Sequence, residues 1–100
     1  MPDIKILGPG CANCYRLEGL AVAVLELMAE ASPARYDLER VTLMHLHEPE
    51  DFRGYGLLCT PGLVINGKLV CGGRVPSALE IREWLAEAVE RDEGAVTDEP

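Results

Sequence analysis

"GPGCANC", residues 8–14, sets two thiols three residues apart immediately behind a Gly-Pro-Gly loop. Its flanks decide the fold. Upstream, "DIKIL" at 3–7 alternates polar and apolar residues and stops at Gly8, the pattern of a short strand. Downstream, Cys14, Leu17, Ala21, Val24 and Met28 recur at helical spacing, and Leu20 and Leu27 widen the stripe. A helix is therefore expected from Ala12 to about Ala31. Gly19 costs it about 1 kcal/mol relative to alanine, and Pro33 ends it. The cysteine pair thus falls in a strand-to-helix turn.

Further along, "DLERVTLM" at 37–44 reads as a second strand, and "HLHEPEDFRGYG" as a short helix starting around Pro49. Proline is tolerated in a first turn, where Glu50 and Asp51 also suit the positive end of the helix dipole. Asn66-Gly67 between "LVI" and "KLV" predicts a hairpin over about 63–71, because both residues readily take the positive φ of a type I′ turn. Ser77 and Glu80 form a capping box for a last helix from Ala78 to about Val89, buried through Ile81, Trp84, Leu85 and Ala88. The expected order is β-α-β-α-β-β-α: an α/β fold with a four-stranded mixed sheet and helices on both faces. One domain over 1–91 and an acidic, frayed tail over 92–100 complete the expectation.

The chain has 100 residues and is 48% hydrophobic, enough for one core without disulfide or metal support. Seventeen acidic against nine basic side chains give a net charge of -8, which argues against nucleic acid and anionic membranes as partners. No basic-then-apolar leader opens the sequence, and no run approaches the roughly 18 apolar residues of a membrane span. A cytoplasmic location is expected. There, closely spaced cysteines serve redox chemistry or metal binding more often than structural disulfides.

Cys11, just ahead of the helix, is placed where unpaired first-turn amides and the helix dipole favour its thiolate. Cys14, one turn on and less exposed, is placed to attack a mixed disulfide formed at Cys11. Cys11 is thereby read as nucleophile and Cys14 as resolver. In "LCTPGLVINGK", a Thr60-Pro61 turn facing the motif would offer the Thr60 backbone to an extended, thiol-bearing partner. Cys59 would then lie near Cys11 as an auxiliary thiol. Cys71 reads as a small buried hydrophobe. His45 and His47 read as a solvated strand edge, Tyr15 as surface packing, Arg74 as an exposed turn residue, and Asn13 as a cap or an exposed side chain. No nucleotide-binding loop pattern occurs, no Cys-His-Asp arrangement is deducible from the spacing of His45 and His47, and no cofactor is expected.

"GPGCANC", "TPGLVINGK" and "GRVPS" with its following helix together resemble the small redox-active-disulfide proteins, a branch of the thioredoxin superfamily, over roughly residues 3–90. The resemblance implies a glutaredoxin-like minimal thioredoxin fold, a dithiol site at Cys11 and Cys14, and a cis peptide before Pro61. It also implies thiol-disulfide exchange with a disulfide-bearing protein or small thiol. Three positions depart from related patterns: Cys59 stands where serine is frequent, and Gly10 and Lys5 stand where many thioredoxins carry a tryptophan and a buried acid. Two other readings stay open at this point: a metal-binding or metal-delivery module using Cys11, Cys14 and a third ligand in Cys59, and a non-catalytic interaction module. The sequence names no electron donor and sets no oligomeric state.

Overall fold

Alternation along β1 (Asp3–Leu7) divides the molecule into two layers on either side of a sheet. Ile4 and Ile6 point to one face and are almost fully buried with Leu17, Met28, Ile81 and Leu85 of two long helices. Leu7 points to the other face, where it packs with Val64, Leu57, Phe52 and Tyr55. Each large side chain so buried contributes about 1.5–3 kcal/mol. The computed structural model describes residues 2–57 and 59–97, with residues 91–97 described by secondary structure alone.

The four strands run in the order β2-β1-β3-β4, with β2 at Thr42–Leu46, β3 at Gly62–Ile65 and β4 at Lys68–Gly72. β1 pairs parallel with β2 and antiparallel with β3, and the β3–β4 hairpin is antiparallel. Asn66 and Gly67 take φ of 51° and 80° at its tip, as the turn requires. Helix α1 (Ala12–Ala31) and helix α3 (Ala78–Thr97) cover one face, and the short α2 (Pro49–Gly54) covers the other. This is an α/β, thioredoxin-like fold with helices on both faces of a mixed sheet.

Three details differ from the sequence reading. The second strand starts at Thr42, because the Asp37 carboxylate accepts the Glu39 amide at 3.0 Å and turns Leu38–Arg40 into a 3-10 helix. In α1, Leu27 is 65% exposed and Leu25 is buried in its place, so the core stripe is narrower and rotated. Helix α3 continues past Val89 to Thr97, since no proline interrupts it and a lone Gly94 costs only about 1 kcal/mol. Residues 98–100 of the expected tail lie outside the described residues.

At the start of α3 the expected capping box is formed. The Glu80 carboxylate accepts the Ser77 amide at 3.0 Å, and the Glu80 amide donates to Ser77 Oγ at 3.2 Å. Arg74, read as a plain turn residue, instead grips Glu80 with two guanidinium bonds of 3.0 and 2.7 Å. That clamp fixes the segment joining β4 to α3.

Candidate functional site

The parallel β1–β2 ladder runs one bond past β1, where the Gly8 amide donates to the Leu46 carbonyl at 3.0 Å. Beyond it the chain leaves the sheet and enters α1 with Cys11 as the N-cap residue, extended at φ -76° and ψ 170°. The Cys11 carbonyl accepts the Cys14 and Tyr15 amides at 3.0 and 3.2 Å, closing the first turn. That turn brings the two sulfurs to 2.9 Å, a hydrogen-bonded dithiol with Cys11 exposed and Cys14 buried.

The two thiols are made unequal by their surroundings. Cys11 is shifted toward thiolate, first by the Cys14 thiol bonded to it and next by the backbone amides of Cys14 and Asn13. Burial shifts Cys14 the opposite way, and its bond to Cys11 adds to that shift. A dithiol arranged like this holds its negative charge on the sulfur that solvent and partners can reach. The neighbouring thiol contributes more to the Cys11 shift than the helix start does.

Two glycines make this packing possible. A Cβ on Gly8 would run into Cys14 Sγ and would lie 3.9 Å from Thr60 Cβ, so Gly8 separates the buried thiol from the Thr60 segment by backbone alone. Gly10 has φ of +96°, a conformation that other residues rarely take. The Thr60–Pro61 peptide is cis. Thr60 thus stands beside the cysteine motif.

Cys59 is exposed, and a Cβ on Gly73 would sit 3.3 Å from its Cβ, which sets it against the end of β4. Cys71 is buried in the main core, where burial raises its thiol pKa. Among the described residues no three His, Cys, Asp or Glu side chains gather as a metal-binding group. The three-thiol arrangement considered from sequence is therefore not formed.

On the β2 side of the motif the structure corrects the reading of His45 as a solvated edge. Its side chain is only 9% exposed, and its Nδ1 meets Glu18 Oε1 of α1 at 2.9 Å. Its Nε2 is buried without a partner, which costs about 1–3 kcal/mol. His45 stacks on His47 with centroids 4.2 Å apart and meets Tyr15 edge-on at 5.4 Å. Residue spacing does signal that Glu18 shares a helix side with Tyr15, but its pairing with β2 needs the sheet register.

The chain matches the thioredoxin domain family over residues 2–86. It is also 38% identical over 87 residues to the thioredoxin of Methanothermobacter thermautotrophicus strain Delta H, a match covering 86% of this chain and all of that protein. The chain belongs to the thioredoxin family. At the level of that family the assignment is thiol-disulfide oxidoreductase, and the paired Cys11 and Cys14 sulfurs supply the dithiol it needs. In this thioredoxin-family chain Lys5 occupies the strand position noted above, bonded to Asp3 Oδ2 at 2.7 Å.

Proposed function

We propose that this protein is a cytoplasmic thiol-disulfide oxidoreductase in which Cys11 is the nucleophile and Cys14 the resolving thiol. The observation that carries the reading is the asymmetry of the dithiol: an exposed sulfur shifted toward thiolate, 2.9 Å from a buried one shifted away from it. Cys11 thiolate attacks one sulfur of a substrate disulfide, forming a mixed disulfide and expelling the other sulfur as thiolate. Cys14, on losing its proton, attacks Cys11 Sγ and expels the second substrate thiolate. The substrate gains two electrons, and the protons of Cys11 and Cys14 end on its thiols. The Cys11–Cys14 disulfide left behind is returned to dithiol by an external thiol or protein reductant.

Thr60 and Pro61 form the partner-binding edge in this reading, with the Thr60 backbone pairing to an extended segment of the substrate. Support comes from the position of Thr60 across Gly8 from Cys14. Main-chain recognition suits protein disulfides of varied sequence. The test is reduction of a protein disulfide: under dithiothreitol the wild-type chain accelerates it and C11S loses the acceleration, and reduced C14S mixed with the substrate disulfide without added thiol accumulates a mixed disulfide at Cys11. Full activity in C11S would overturn the assignment.

A further inference from the structure

The sheet order sets a different neighbour on each side of the Cys11 loop. On the β3 side stands Thr60; on the β2 side stand three rings that exchange chemistry does not use. Tyr15 Oη and the Cε1 and Nδ1 of His47 are the three atoms nearest to a Cβ built on Gly10, at 3.2, 3.7 and 3.7 Å. Behind them lies His45, stacked on His47, edge-on to Tyr15 and tied through Nδ1 to Glu18. A phenyl ring would fill that space without burying a nitrogen that lacks a partner. What the imidazole adds is a directed bond that fixes its plane against α1.

We propose that Tyr15, His45 and His47 form a ring buttress that positions the Gly10–Cys11 peptide, with Glu18 anchoring the middle ring. Gly10 is the loop's most permissive residue and sits at positive φ, so without a wall beside it the peptide leading to Cys11 can rotate freely. Cys11 Sγ depends on a narrow placement, 2.9 Å from the Cys14 sulfur at the start of α1. Rotation of Gly10 carries the sulfur out of that placement. These are positioning residues: they act on Cys11 through the Gly10 backbone. The titratable groups gathered around the loop are Cys14, Tyr15 and Glu18 from α1, His45 from β2 and His47 just past its end, while Cys59 lies against Gly73.

The inference rests on the oxidoreductase reading for its consequence, but it is tested without it. In full-length C14S, where a serine hydroxyl still donates to Cys11, the rate of Cys11 alkylation by iodoacetamide is followed against pH by peptide mass. H47A and H45A are expected to move the profile to higher pH and slow alkylation about threefold or more at mildly acidic pH. H47F, which keeps a ring against Gly10, is expected to restore it. Because His47 and Tyr15 are exposed, H47A and Y15A leave the core intact, and far-ultraviolet circular dichroism checks this for each variant. Unmoved profiles in H47A, Y15A and H45A overturn the proposal, and so does an H47F profile no better than that of H47A, which would assign the effect to imidazole charge. Absence of disulfide reduction by the wild-type chain would instead count against the oxidoreductase reading and leave these profiles interpretable.

Discussion

Gly8 packs its bare Cα against Cys14 Sγ, and no side chain fits between them. The end of β1 and the resolving thiol of the proposed mechanism are therefore in direct contact. In G8A the new methyl group must displace either Cys14 or the strand end, at a cost of about 1–3 kcal/mol for overpacking a buried site. Chemical denaturation is expected to read that loss. Acid-quenched turnover should in addition show more trapped Cys11 mixed disulfide than the wild type, because Cys14 no longer meets it squarely.

The Cys14 thiol is the largest cause of the shift of Cys11 toward thiolate, so removing it should return Cys11 toward ordinary thiol behaviour. C14A is expected to alkylate at Cys11 about tenfold more slowly than the reduced wild type at mildly acidic pH, the scale of losing a hydrogen bond to an ionised group. C14S, which keeps a donor, should fall between them. The sign follows from the direction of the shift: a lowered Cys11 pKa means thiolate persists to lower pH, and C14A gives up that range first. Rates for each thiol present come from peptide mass analysis, with buried Cys71 as the slow reference.

Which parts of this were legible in the chain follows from the range of the interactions. The first strand, the cysteine turn and the helix behind it are written in contiguous residues, as are the Asn66-Gly67 hairpin and the Ser77–Glu80 cap, and all of them form. The second strand starts later than alternation predicts because the Asp37 side chain competes for backbone bonds that alternation alone assigns to a sheet. Helical spacing defines a stripe only to within a neighbouring position, and the register of α1 against the sheet buries Leu25 and leaves Leu27 exposed. The Glu18–His45 pair was invisible for a stronger reason. Its members are 27 residues apart and meet only when β2 lies parallel beside β1 under α1. Similarly, Arg74 gains its partner across the β4–α3 connection, six residues on and out of helical register.

Recognition through the Thr60 backbone predicts sensitivity to the substrate's main chain rather than its side chains. A short peptide disulfide N-methylated at the residue beside its cysteine should be reduced about tenfold more slowly than its unmethylated parent, the rate equivalent of one or two hydrogen bonds. Exchanging that residue's side chain between alanine, serine and leucine should change the rate far less. Stopped-flow reduction under single-turnover conditions separates the two effects. Equal rates for methylated and unmethylated peptides would remove Thr60 from the proposed binding edge.

Glu80 links the stability of the whole domain to acid. The two bonds from Arg74, followed by the Ser77 amide, lower its carboxyl from 4.5 to about 2. A carboxyl whose folded pKa lies below its unfolded one stabilises the native state above the unfolded value, and that contribution fades as pH falls through the folded value. Wild type should therefore exceed E80Q in stability above about pH 4.5, and the gap should close as pH approaches about 2. The pair is exposed, so salt should narrow the gap at neutral pH as well. S77A separates the cap from the ion pair: it should cost about 1 kcal/mol at neutral pH through the lost bond to the Glu80 amide, with little dependence on salt. Urea titrations of the wild type, E80Q and S77A at neutral pH and at two acidic values check all three expectations, and an E80Q gap that stayed constant down to the acid limit would mean that the Arg74 clamp does not survive in solution.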